Sequence, residues 1–231
     1  MNGTLASMKQ PLTVSGDRAA LLCIDLQEEH RKDQRLLAVG FDGVVAKVQQ
    51  LQDAARENGI PVYHFAYIVD AAATLPHHPK LPDGRSAFSD KDDPLTAICP
   101  EVAPREGEKL VIKSEASAFG TGLGDELKDA GVEWLFVCGV WTEACVDATV
   151  KAAQKLGFRV VLVKDACGSG SVAMHQTGIL NLANRIYGGA VVDTDGACRL
   201  MSGETISAWQ PDRPVPMRFS FEDASELYEG L

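Results

Sequence analysis

The chain has 231 residues, 45% of them hydrophobic, with a formal net charge of −10. That length supports one α/β domain with a substantial core, and the negative balance, with both signs mixed along the chain, argues against nucleic acid or an anionic membrane as partner. No segment is long and apolar enough to span a bilayer and no signal peptide is expected, while the six cysteines are scattered without a CxxC pair; a disulfide framework or zinc site is disfavoured and a cytoplasmic location fits.

Residues 1–17 are polar and are expected to form a flexible arm. Ala19 to Ile24 is a continuous apolar run ending at Asp25, the pattern of a central parallel strand with a carboxylate at its end. Phe41 to Asn58 is predicted as a helix with Val44, Val45, Val48, Leu51, Gln52 and Ala55 on one stripe, and Gly59 closing it. Pro61 to Tyr67 is the next strand. Residues 68–108 form a long loop rich in proline, a length associated with lids, oligomer contacts or an ordered surface excursion. Lys109 to Ile112 is a short strand followed by Lys113, and Gly122 to Ala130 a short helix ended by Gly131.

Trp134 to Val140 is another apolar strand. It leads into Thr142, a candidate helix N-cap, with Val146, Thr149, Val150, Ala153 and Leu156 at helical spacing beyond it. This places Cys145 in the first helical turn, where the unpaired N–H groups favour a thiolate. Two readings of Cys145 stand from this stretch alone, a nucleophile or a small core residue. Phe158 to Lys164 is a strand ending at Asp165, Ser171 to Tyr187 a helix with Ile179, Leu182, Ala183 and Ile186 inward, and Gly189 to Val192 a last strand. Residues 205–231 form a C-terminal tail with a possible helical turn and the aromatics Phe219, Phe221 and Tyr228.

Strands alternating with helices predict a three-layer α/β/α fold with a six-stranded parallel sheet, all within one domain spanning residues 1–231. Ligands of such sheets bind beyond the carboxyl ends of the strands, and the topology carries Asp25, Lys113 and Cys145 to that edge. Lys113 taken alone also reads as the first solvated residue of a loop. Together the three suffice for amide hydrolysis. The thiolate attacks a carbonyl, Asp25 takes the thiol proton and returns it to the leaving amine, Lys113 supplies positive charge, and turn amides receive the oxyanion.

Three segments carry a resemblance. Asp25-Leu26-Gln27 closes the first strand. Lys113 is followed by Ser117-Ala118-Phe119, Thr121 and Leu123. Gly139 to Val146 reads GVWTEACV, with Thr149, Gly157 and Asp165-Ala166 beyond it. In these the chain resembles the isochorismatase-like cysteine hydrolases, the superfamily of nicotinamidases, N-carbamoylsarcosine amidases, and biuret and ureidoacrylate hydrolases, over about residues 19–192. The resemblance implies strand order 3-2-1-4-5-6, with Asp25 as general acid/base, Lys113 as its electrostatic partner and Cys145 as nucleophile. It also implies a cis Val140–Trp141 bond, with the Trp141 and Cys145 N–H groups forming the oxyanion hole, and a homo-oligomer, a tetramer being favoured.

The departures narrow the reading. Glu28-Glu29-His30 stands where many relatives carry an Asn-Asp-Phe-like run. The Asp-x-His metal motif of the nicotinamidases is missing; His64 alternates with apolar strand residues and His77-His78 are adjacent in a loop. The expectation is therefore a metal-independent hydrolase of linear amide C–N bonds, acting on a small amide, ureide or N-carbamoyl compound with water, without metal or other cofactor. Nicotinamidase and a non-catalytic binding protein on the same fold are the alternatives. Gln27, Phe119, Trp141 and Arg85 are the substrate-binding candidates.

Overall fold

The computed structural model describes residues 8–231; residues 1–7, part of the expected arm, lie outside that description, as does the side chain of Thr121. Eight strands form one sheet: β1 (Lys9–Leu12), β2 (Ala19–Ile24), β3 (Val62–Tyr67), β4 (Lys109–Lys113), β5 (Trp134–Val140), β6 (Arg159–Gly168), β7 (Ala190–Val192) and β8 (Ile206–Trp209). Their order is β1-β8-β7-β6-β5-β2-β3-β4. The parallel strands β2 to β7 follow the 3-2-1-4-5-6 arrangement, but the sheet has eight strands, not six. β8 runs antiparallel to β7 through Val191 and Trp209, and β1 runs antiparallel to β8.

These two additions come from segments read as an arm and a tail. Each is only four residues long, and β1 contains Pro11, which an edge strand tolerates because its missing N–H costs no bond on the open side. Met8, within the supposed arm, is fully buried.

The helices are α1 (Glu29–Lys32), α2 (Phe41–Glu57), α3 (Leu123–Asp129), α4 (Asp147–Lys155), α5 (Val172–Ala183), α6 (Thr194–Met201) and α7 (Ala224–Gly230). The period-2 geometry of a strand explains how they are shared between two faces. In β2, Ala20, Leu22 and Ile24 point into one core with Leu127 of α3, Val150 of α4, Ile179 of α5 and Leu227 of α7. Ala19, Leu21 and Cys23 point into the other, with Val48 and Leu51 of α2 and Leu200 of α6. A strand covered on both sides has no solvated face to mark with polar residues, hence the unbroken apolar run. Each core shields one side of the sheet and leaves its carboxyl edge open between the layers.

Local chemistry sets the boundaries. Gly59 (φ 68°) and Gly131 (φ 75°) follow α2 and α3 in the left-handed conformation. Ser171 caps α5 by accepting from the Met174 N–H, and Asp193 caps α6 by accepting from the Gly196 N–H. β6 does not stop at Asp165 but continues to Gly168, because the Asp165 carboxylate is satisfied from the side by the N–H and hydroxyl of Thr194, at 2.7 and 2.8 Å. In the tail, Phe219 and Tyr228 pack on the first core, whereas Phe221 is exposed.

Candidate active site

Asp25 comes directly after the last residue of β2, Lys113 is the last residue of β4, and Cys145 lies in a π-helical turn, Thr142–Val146, between β5 and α4. Asp25 takes φ 51°, left-handed backbone uncommon for any residue but glycine, asparagine or aspartate. Gly139, at φ 119°, lets β5 run against β2 here, since a Cβ would drive into the Ile24 carbonyl oxygen. The Val140–Trp141 bond is cis.

The Lys113 ammonium donates to Asp25 Oδ2 at 2.8 Å, to the Glu115 carbonyl at 3.0 Å and to the Ala116 carbonyl at 3.1 Å. All three of its protons are thereby used. Asp25 is 2% exposed and Lys113 3%. Burial raises the Asp25 pKa above its usual range, opposed first by the charge of Lys113 and further by the Cys145 thiol. Asp25 Oδ1 is buried without a settled hydrogen-bond partner.

Cys145 departs from the sequence expectation of a depressed thiol. Burial and the Asp25 carboxylate push it up to about 12, and Lys113 pulls it down by less. The resting sulfur is thus a thiol, held beside the Asp25 carboxyl group. The capping expectation also changes: the Thr142 side chain does not cap a helix. Its hydroxyl donates to the Gly168 carbonyl at 3.0 Å and sits 2.8 Å from His175 Nδ1, while His175 Nε2 lies 3.0 Å from the Tyr228 hydroxyl. With the tautomer that carries the proton on Nδ1, every donor in this chain finds an acceptor, from α7 to the turn that holds Cys145.

A cavity of about 340 Å³ opens over these residues, lined by Asp25, His30, Leu36, Tyr67, Phe88, Ser89, Ala116, Val140, Trp141, Ala144 and Cys145. Of the substrate-binding candidates, Trp141 alone is in this wall. Gln27 is buried behind Asp25, where its amide donates to the Tyr67 and Thr96 carbonyls and accepts from the Tyr67 N–H. Phe119 stacks on Phe158 in the core. Arg85 sits on an exposed turn, its Nε donating to Asp83 at 2.8 Å.

His30 and Ser89 add the polar points of the wall. The Trp141 indole, a donor only, lies 3.2 Å from His30 Nδ1, which makes that nitrogen the acceptor; the Leu36 carbonyl, also 3.2 Å away, would suit the other tautomer. Burial lowers the His30 pKa to about 4, so either way the ring is neutral at pH 7. Ser89, at φ 50°, gives its hydroxyl to Glu29 Oε1 at 2.6 Å and its N–H to Oε2 at 3.1 Å. Glu29 is itself buried, and that burial raises its pKa to about 7 against the two bonds from Ser89.

His64 and His78 are committed elsewhere. His64 Nε2 lies 2.9 Å from Glu108, and His78 is held by Ser86 at 2.7 Å against the Phe88 ring. Glu28, Cys99 and Glu101 come within ligand distance of one another, but Arg31 already bridges the two carboxylates. None of these groups faces the cavity.

A profile of the isochorismatase domain matches residues 19–196. The chain belongs to the isochorismatase family. Within that family, maleamate amidohydrolase of Pseudomonas putida is 29% identical over 195 residues, covering 80% of this chain and 88% of its own length. N-carbamoylsarcosine amidase of an Arthrobacter species is 26% identical over 219 residues, covering 87% and 81%. The crystal structure of a cysteine hydrolase from Pseudomonas syringae pv. phaseolicola superposes with a TM-score of 0.75 at 20% identity over 84% of this chain and 97% of that one, a likeness of fold.

Sequence reasoning passed over most of this isochorismatase-family cavity. Tyr67 was within reach, since it ends a parallel strand and the rule that found Asp25 applies to it equally. His30 was visible only as a departure from relatives. Phe88 and Ser89 carried no signal, because an irregular loop has no periodicity to project a residue onto a face.

Proposed function

We propose that the protein is a metal-independent cysteine amidohydrolase that cleaves a small amide, ureide or N-carbamoyl compound through a thioester. The observation that carries this reading is the buried Lys113–Asp25 pair at 2.8 Å, placed beside the Cys145 thiol that lines the cavity. The names of the two sequence relatives, one an amidohydrolase and one an amidase, support the same reaction class.

Each step uses a group already in place. Asp25 takes the Cys145 proton as the sulfur attacks the amide carbonyl, so the C–S bond forms without a free thiolate in the resting state. Lys113 steadies Asp25 while it is an anion and fixes its orientation. The carbonyl oxygen becomes an oxyanion, received in this reading by the N–H groups of Trp141 and Cys145. Asp25 then protonates the departing nitrogen and the C–N bond breaks, leaving the thioester and ammonia or an amine. A water molecule gives its proton to Asp25 and attacks the thioester. The sulfur leaves, regains the proton, and the acid is released. No step in this reading uses a metal, and His64 and His78 are turned to Glu108 and Ser86 instead of the cavity.

The test is ammonia release across a panel of small amides, ureides and N-carbamoyl compounds, for the wild type, for Cys145→Ala and after exhaustive chelation. Turnover lost in the variant and kept after chelation is the expected result. Undiminished turnover by Cys145→Ala rejects the nucleophile, and loss on chelation with recovery on adding zinc or manganese rejects the metal-independent route.

A further inference from the structure

We propose that the substrate is a neutral amide with a flat, apolar flank, and that amides carrying a carboxylate are rejected. This deepens the amidohydrolase reading and rests on it. The argument starts from charge. A carboxylate taken into a small cavity loses its water and needs a cation or several donors in exchange. Among the described residues that line this cavity there is no arginine or lysine. Lys113, directly behind it, has spent all three protons on Asp25 and two carbonyls.

Three arginines of the surrounding segments are also engaged. Arg31 is paired with Glu28 and Glu101, Arg35 with Asp33, and Arg85 with Asp83. The buried acids of the site likewise offer an acid substrate no counter-ion. Asp25 lies in the wall, and Glu29 lies directly behind Ser89, so an acid substrate would face two carboxyl groups.

Shape completes the argument. Tyr67 and Phe88 stack with ring centroids 6.1 Å apart on one side, and Trp141 stands in the same wall with its indole anchored to His30. Gly170 is part of this arrangement, since a Cβ there would fall 2.7 Å from the Trp141 ring. Aromatic surfaces favour flat apolar partners by burial and offset stacking. The neutral His30 ring and the Ser89 hydroxyl leave room for one uncharged polar atom on that partner, not for an ion.

Three matched probes test this: benzamide, 4-carbamoylbenzoate, and the methyl ester of 4-carbamoylbenzoate as a control for size. Ammonia release is measured with the wild type, and binding is measured by calorimetry with Cys145→Ala. The expected result is that the ester and benzamide are bound and turned over while the acid is worse than its ester by at least about tenfold in kcat/KM and in affinity. Leu36→Arg, which places a guanidinium in the wall, is expected to raise the acid-to-ester ratio. Equal or better use of the acid by the wild type overturns the inference, as does failure of all three to bind, or an acid-to-ester ratio unmoved by Leu36→Arg. The two readings fail separately. If no amide in the broad panel releases ammonia, the amidohydrolase reading falls, whereas binding to Cys145→Ala still decides whether the cavity prefers the neutral probe.

Discussion

The floor of the cavity and its wall are built on different principles. The floor is made by strand ends: Asp25 after β2, Lys113 closing the edge strand β4 and Cys145 in the turn after β5, each fixed by a parallel ladder. Much of the wall comes from irregular chain, Leu36 after α1 and Phe88 and Ser89 in the 68–108 loop, held by side-chain contacts such as the Glu29 clasp. Strand ends place groups to within the precision of the sheet, which bond-making needs. Loops can be exchanged without disturbing that geometry, which suits recognition. Substitutions in the floor should therefore act on kcat, and substitutions in the wall on KM.

The largest effects are expected in the floor. Asp25→Asn removes the proton acceptor and keeps the shape, and a loss of about 10²–10⁴-fold in kcat is expected with an unchanged circular dichroism spectrum. An Asp25→Asn enzyme within a few-fold of wild type would separate the strand-end carboxylate from the chemistry and end the contrast.

Lys113→Met strands Asp25 in the interior. Breaking a buried pair typically costs about 3–5 kcal/mol, measurable as a lower urea midpoint. The pH profile carries the sharper sign. Lys113 holds the raised Asp25 pKa down, so its removal raises it further. With Asp25 as the proposed proton acceptor, the acid limb of kcat/KM, expected above the ordinary aspartate range in the wild type, should move to higher pH. An acid limb that stays in place means that Lys113 does not govern Asp25.

In the wall, Glu29→Gln keeps one acceptor for Ser89 and loses the other, and KM is expected to rise by about tenfold or less with kcat nearly constant. The same residue has a stability signature. Its native pKa of about 7 exceeds the unfolded value, so native protein holds a proton that the unfolded chain releases in between. Stability should fall as pH rises from the ordinary carboxylate range through 7, and Glu29→Gln should flatten that slope in urea titrations. The smallest effect belongs to Tyr228→Phe, which deletes the far end of the Tyr228–His175–Thr142 chain. About 0.5–1.5 kcal/mol of stability is expected to go, read as a modest fall in Tm.

The same division explains which residues could be placed without the structure. Ala19 to Ile24 and Trp134 to Val140 are so uniformly apolar that only buried parallel strands accommodate them, and the residues just past the end of such a strand lie at the binding edge. That logic reached Asp25, Lys113 and Cys145. It failed at β1 and β8, where four residues are too few for a period and where pairing with a distant segment, not local preference, makes the strand. It failed for Arg85, because a charge in a loop reveals nothing about its direction; Asp83, two residues away, claims it. It misjudged the state of Cys145, because a helix start is visible in sequence but the depth of burial that outweighs it is not. Phe88 reaches the wall through the fold of a forty-residue excursion that no local pattern encodes.

The buried thiol has a consequence for the life of the chain before it folds. In an extended polypeptide Cys145 is an ordinary cysteine, titrating near 8.5 and open to oxidants and electrophiles. Folding raises it to about 12, so the finished protein carries its most reactive sulfur in its least reactive form. That protection depends on contacts that close late. Asp25 and Lys113 are 88 residues apart, and the Cys23–Cys138 neighbours of the central strands are 115 apart. Such distant pairings pay their loop entropy before they return any stability. Exposure of Cys145 to chemical damage is thus concentrated in synthesis and refolding, and a reductant present during those stages is expected to protect this thiol more than one added to the folded protein.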